Sequence, residues 1–205
     1  DPYLTGVYTS DFGLNVNAGA RLNIHSEYGN QLVYNLNPSF DFKEFPLKVL
    51  ASYSTAFVTP SLYQLYSPYG NTALTPEKNT TLEAGFETNF LDKKVRFSAV
   101  GFYREQTDFI GFSSAYKYIN IEGTNKAKGV ETEITFAVSD KLKWISNYTF
   151  TQVDKALDRL IPKHKVNSSL DYQIFPRTTF NVNYQYVDGR NDAFFDGNTY
   201  GTQNI

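Results

Sequence analysis

The chain has 205 residues, 41% of them hydrophobic, with 16 Tyr, 17 Phe and one Trp, a formal charge of −2 and no cysteine. This excludes a broadly basic surface for nucleic acid, and the missing thiols exclude disulfides, thiol catalysis and cysteine-type zinc sites. No apolar run approaches the ~20 residues of a membrane helix, and mean hydropathy is −0.41, but the alternating strands of a membrane β-barrel escape that test.

Taken in chain order, Tyr3 to Thr9 predicts a weak strand. In Leu14 to His25 the even positions Leu14, Val16, Ala18, Ala20, Leu22 and Ile24 are apolar, and Asn15, Asn17, Gly19, Arg21 and Asn23 are not. A period of two held that long means one strand with two chemically opposite faces. The pattern returns at Leu32 to Phe42, Leu47 to Tyr53, Leu82 to Phe90 and Val95 to Tyr103. It continues through Val130 to Val138, Leu142 to Phe150, Val166 to Ile174 and Phe180 to Tyr186. With Tyr116 to Val138 read as one long irregular strand, about ten strands are expected and no helix.

The links alternate. Short ones with turn chemistry lie at 10–13, 43–46, 91–94, 139–141 and 175–177, and longer ones at 26–31, 57–80, 105–115 and 153–163. An up-and-down meander then puts every tight turn at one end and every long loop at the other, as outer-membrane barrels do. The strands suit the ~9–11 residues of a tilted membrane crossing. Tyr53, Phe90, Tyr103, Tyr148, Tyr172 and Tyr186 sit near strand ends as girdle aromatics would. The opposite face carries both signs of charge, in Arg96, Arg104, Glu131, Glu133, Lys143 and Asp171. The expected fold is therefore all-β, an antiparallel up-and-down transmembrane β-barrel segment. A soluble barrel with its apolar face inward has the same periodicity and stands as an alternative.

The segment "YSTAFVTPSLYQLYSPYGNTALTPEKNTTLEAGF", Tyr53 to Phe86, resembles the barrel of TonB-dependent outer-membrane receptors. The resemblance rests on Pro60-Ser61-Leu62, Gly70-Asn71, Leu74-Thr75-Pro76-Glu77 and Glu83-Ala84-Gly85. It also rests on Asn125, Ala127, Gly129, Val130 and Glu131, and on Ile161-Pro162-Lys163-His164 opening a strand. It covers nearly the whole chain and implies part of a barrel of about 22 strands. Residues 1–205 then form one partial barrel domain, with the plug domain and TonB box outside it. The chain opens at Asp1 without an initiator Met or a leader and stops at Ile205 in a polar stretch, so a piece of a longer protein is expected.

The resemblance further implies a bacterial outer-membrane active transporter of a scarce bulky nutrient. Its tracts at 53–86 and 103–134 look most like vitamin B12 (cobalamin) receptors. The alternatives are a ferric-siderophore or haem receptor and a passive porin-like channel. The implied partners are the plug and remaining strands of the same receptor, the TonB complex, outer-membrane lipids and a surface lipoprotein, with no nucleic acid. No cofactor, metal or catalysis is expected.

The residues themselves offer little enzyme chemistry. His25 and His164 are the only histidines and read as strand-end residues, and no HExxH, GxSxG, phosphate-loop or dinucleotide motif occurs. A membrane-barrel lipase or protease needs a Ser, a His and an acid converging at the rim. Glu131 and Glu133, about 7 Å apart at strand rise, read as acids paired to Arg or Lys across strands rather than as a cation site. Asp188, Asp192 and Asp196 lack the frame and closing Glu of a calcium loop. The richest candidate for ligand contact is the long loop carrying Tyr63, Tyr66 and Tyr69, stiffened by Pro60, Pro68 and Pro76. Tyr combines apolar area with a hydroxyl handle. Phe112 and Tyr116 add aromatics near the same rim, and Lys163 begins a strand after a long loop and is expected at the mouth.

Overall fold

The computed structural model describes residues 1–154, 161–191, 199–200 and 203–204. In chain order the elements are β1 (Tyr3–Thr9), β2 (Leu14–His25), β3 (Gly29–Asp41), β4 (Leu47–Val58), the helix α1 (Leu62–Tyr66), β5 (Glu77–Phe90) and β6 (Val95–Thr107). Then follow β7 (Ile110–Phe112), β8 (Tyr118–Asn120), β9 (Thr124–Ser139), β10 (Leu142–Val153), β11 (His164–Phe175) and β12 (Thr178–Val187). Three two-residue strands close the series, β13 (Arg190–Asn191), β14 (Thr199–Tyr200) and β15 (Gln203–Asn204). Eleven of these form one sheet in the order β1-β2-β3-β4-β5-β6-β9-β10-β11-β12-β15, and every pair is antiparallel. β1 stands at one edge and β15 at the other, so the sheet formed by the described residues is open.

The ten expected long strands are present. Their registers carry one apolar row from strand to strand without a slip of faces. Val16 faces Pro38, Phe40 faces Val49, and Val49 faces Phe86. Phe86 faces Ala99, Phe97 faces Ile134, and Trp144 pairs with both Phe136 and Leu170. Leu170 then faces Val182. No core lies behind this row. Among the described residues Leu74, Val95, Ile110 and Ala127 are the buried hydrophobic side chains, with Pro60 and Pro76 buried at the long-loop end. Leu36, Phe86, Leu170 and Val182 are all exposed, so this chain has no dry interior of its own into which the alternating positions converge.

Aromatics mark both ends of that face. Phe40 and Phe42 meet edge-on at 4.9 Å, with Phe12 6.4 Å from Phe40, at the short-turn end. Tyr34 and Tyr53 lie 5.9 Å apart toward the long-loop end.

The opposite face is tied by side-chain hydrogen bonds. Asn15 donates to Asp41 at 3.0 Å, Ser52 to Asn37 at 2.8 Å, and Arg96 pairs with Glu87 at 2.9 Å. Asn167 donates to Asn147 at 2.8 Å while Gln185 donates to Asn167 at 2.7 Å. Asn181 donates to Asp171 and Asn183 to Asn181.

Three expectations are corrected. The β2–β3 link is only Ser26 to Tyr28, not six residues, because Asn30 and Gln31 pair with Ile24 and Asn23. His25 closes that turn by accepting from the amides of Glu27 and Tyr28, and the alternation of short and long links breaks there once. Tyr116 to Val138 is not one strand. Tyr118–Asn120 turns back on Ile110–Phe112, and Ile121 donates to Phe109 O at 2.7 Å, so that segment's backbone is satisfied before β9 begins. The long loop after β4 holds the short helix α1. Its start was legible as a capping box: Ser61 accepts from the Gln64 amide while the Gln64 side chain accepts from the Ser61 amide.

The tight turns follow their residues. Gly13 sits at φ +108°, and an added Cβ would stand 2.2 Å from Asp41 O, so "SDFG" needs its glycine. Gly129 is fixed by proximity. It pairs with Phe102, whose ring lies over it, and an added Cβ would stand 2.0 Å from Phe150 O and 2.6 Å from the Phe102 ring. Gly129→Val is expected to destabilise the folded barrel by about 1–3 kcal/mol through overpacking. Heat-induced loss of compact electrophoretic mobility in detergent reads this, and an unchanged midpoint would contradict the close approach.

Candidate ligand-binding rim

The long-loop end of the sheet carries two insertions that fold on each other. One is the β4–β5 connection with α1; the other is the β7–β8 hairpin between β6 and β9. Asn71 Nδ2 donates to Tyr118 O at 3.0 Å, the Tyr118 amide donates to Tyr69 O at 3.0 Å, and Lys117 Nζ donates to Pro68 O at 3.0 Å. Asn120 is the clamp. Its Oδ1 accepts from the Thr75 amide at 2.8 Å, and its Nδ2 donates to Thr75 O at 2.9 Å and to Asp108 O at 2.6 Å. Below it, Glu77 accepts from the Ile110 amide at 2.7 Å and from Gln106 Nε2 at 3.2 Å. Leu74, only 2% exposed, is buried within this assembly, as is Ile110.

These bonds bring most of the expected aromatics together. Phe112 meets Tyr118 at 5.0 Å, Tyr69 at 5.9 Å and Tyr116 at 6.3 Å, and Tyr63 meets Tyr118 at 6.3 Å, all edge-on. Edge-to-face pairs at these separations fix ring orientation and are worth about 0.5–1.5 kcal/mol each beyond burial. The hydroxyl-bearing rings nonetheless stay open to solvent, with Tyr63 59%, Tyr66 71% and Tyr116 70% exposed. Tyr66 projects from α1 at its last residue. The result is a semi-rigid aromatic surface with polar tips, suited to a bulky, partly polar ligand.

Lys163 stands apart from this group. Its Nζ lies 5.9 Å over the Phe150 ring, and Phe150 belongs to the apolar row through its pairing with Val130 and His164. His164 is stacked on Tyr148, with Tyr148 Oη and His164 Nδ1 2.9 Å apart. Glu131 and Glu133 line a shallow cavity on the polar face together with Lys165, Asn147 and Asn167. Neither forms an ion pair among the described residues, against the expectation of a cross-strand Arg or Lys partner. No group of three or more His, Cys, Asp or Glu among the described residues could hold a metal. Asp192 and Asp196 of the acidic spacing lie outside the described residues.

Of the organising residues, Asn71 and Glu77 appear in the sequence only as part of the motifs that carry the resemblance, and Asn120 carries no signal there. Asn120 and its Thr75 partner are 45 positions apart, and only folding makes them neighbours.

A family model described as TonB dependent receptor-like, beta-barrel matches residues 3–204. The vitamin B12 transporter BtuB of Vibrio cholerae serotype O1 is 34% identical over 195 residues, covering 92% of this chain and 30% of the relative. The chain thus spans less than a third of the curated relatives it matches. Among solved structures, the ferric enterobactin receptor PfeA of Pseudomonas aeruginosa in complex with enterobactin superposes with a TM-score of 0.82 at 19% identity, covering 98% of this chain and 36% of that one. The siderophore receptor PirA of the same organism gives 0.80 at 22%, covering 99% and 37%. At those identities the likeness speaks for the fold. With the family model spanning nearly every residue, the unbroken meander and the two chemically opposite faces, the chain belongs to the TonB-dependent receptor β-barrel family.

Proposed function

We propose that this chain forms barrel wall and part of the outer mouth of a TonB-dependent importer in a bacterial outer membrane, and that its nutrient is a cobalamin. The observation that carries the ligand is the 34% identity to vitamin B12 transporters along 92% of the chain. The siderophore receptors match more weakly in sequence, at 16–22% for the two PirA proteins. A ferric siderophore remains the second reading because those structures share the whole fold.

The exposed apolar row suits hydrocarbon, where every backbone polar group needs a partner inside the protein, and the paired interior strands supply one. The Asn- and Ser-rich face suits a polar filling such as a plug domain. Capture falls to the aromatic rim, with Tyr63, Tyr66, Tyr69, Phe112 and Tyr116 as the contact residues. Energy for release comes through the plug from the TonB complex. No step of this cycle calls for a catalytic residue in the chain.

Equilibrium binding to the complete receptor in detergent separates the readings: cyanocobalamin is expected to bind and ferric enterobactin not to, and the reverse result overturns the cobalamin assignment. Tyr66→Ala removes an exposed ring and is expected to weaken cobalamin binding roughly tenfold without moving thermal stability. Asn120→Ala releases the clamp between the two insertions. It is expected to speed amide exchange at Thr75 by about tenfold, and to weaken capture by losing preorganisation rather than contact. Unchanged exchange at Thr75 would remove Asn120 from the account.

A further inference from the structure

The apolar row is not smooth. Between β5, β6 and β9 the paired positions Ala84, Gly101 and Val130 bring small side chains side by side. Leu82, Tyr103 and Phe150 stand around them and leave a shallow, open notch of about 440 Å³. A Cβ added at Gly101 would meet nothing closer than 3.8 Å. This glycine is therefore not required by crowding, although glycine in a strand interior weakens the strand and marks a place where another group approaches.

Cations gather at the long-loop end of the notch. Lys128 lines the same cavity, two residues beyond Val130 and so about 7 Å further along the strand. Lys126 follows, 3.8 Å from Glu105. From the neighbouring strand Lys163 leans its ammonium over Phe150. Over two residues the outward surface changes from hydrocarbon-like to charged: Glu105 and Asp154 stand beside Lys126, while Lys128 and Lys163 have no acidic partner among the described residues. That is the sequence of chemistries along a lipid molecule, from acyl chain to phosphate.

We propose that this notch is a binding site for a phosphorylated lipid, one acyl chain lying on Ala84 and Gly101 and a headgroup phosphate held by Lys128 and Lys163. The inference rests on reading this face as lipid-facing. Charge complementarity commits the site to an anionic lipid: a zwitterionic one fills the notch equally well but gains nothing from the lysines. Lysines at such a boundary also occur as solvated snorkelling residues with no lipid preference, and the test separates that case.

The complete receptor is reconstituted in phosphatidylcholine vesicles doped with lipid A or with its dephosphorylated form, re-extracted in mild detergent, and its retained lipid counted by native mass spectrometry. Lipid A is expected to be retained in preference to the dephosphorylated form. Lys128→Gln is expected to lower that retention about fivefold, the worth of one lysine at an anionic lipid surface. Gly101→Leu is expected to lower it comparably by filling the notch, with Gly101→Ala as the milder variant should the larger residue impair folding. Lys165→Gln, a charge removed from the opposite face, is expected to leave retention unchanged.

Equal retention of both lipids, an equal loss in Lys165→Gln, or displacement by inorganic phosphate alone would each overturn the proposal. Failure of the underlying membrane reading looks different, since the protein would then stay monodisperse without any detergent.

Discussion

Everything in this structure depends on the inter-strand hydrogen-bond ladder keeping one register across ten strands. Side chains alternate with period two, so a slip of one residue at any pair would turn every later apolar row to the polar side. The registers show no such slip from Tyr3 to Val187; the shifts at Leu142/Lys143 and Gln173/Phe175 fall at tight turns, where they do not propagate. The same ladder satisfies the backbone of each interior strand, which is what permits a wall with hydrocarbon on one side and a polar filling on the other.

The ladder also explains where variety is allowed. At the short-turn end the chain must reverse within a few residues, and it does so with positive-φ positions such as Gly13 and Leu91 to Lys93. At the other end the strands outrun the apolar row. There the chain builds an assembly with its own small interior around Leu74 and Ile110, stitched by Asn71, Asn120 and Glu77. A rigid wall carrying adaptable loops is the usual division between scaffold and recognition. Here the aromatic rim is stiffened further, because two loops distant in sequence share backbone and side-chain hydrogen bonds.

How much was legible follows from the range of the interactions involved. Alternation in Leu14–His25 or Val95–Thr107 is a property of neighbours in the chain, and it marked those strands correctly. The capping box at Ser61 and Gln64 is equally local and was available to find α1. Alternation merges Tyr118–Asn120 with the strand Thr124–Ser139 and leaves Ile110–Phe112 inside the link 105–115, because three-residue strands are too short to display a period. Tyr63, Tyr69, Phe112 and Tyr116 were legible as aromatic loop residues. That they form one connected surface, and that Lys163 lies outside it over Phe150, depends on partners tens of residues away.

Taken alone, the order of residues determined the long strands, their two faces and the up-and-down meander, since periodicity and turn chemistry act between near neighbours. Only the tertiary structure decided that the apolar row has no core behind it in this chain, that Asn120 locks two insertions together, and that Gly101 opens a notch below Lys128. Those are consequences of which strands lie side by side, a relation that residue spacing along one strand does not contain.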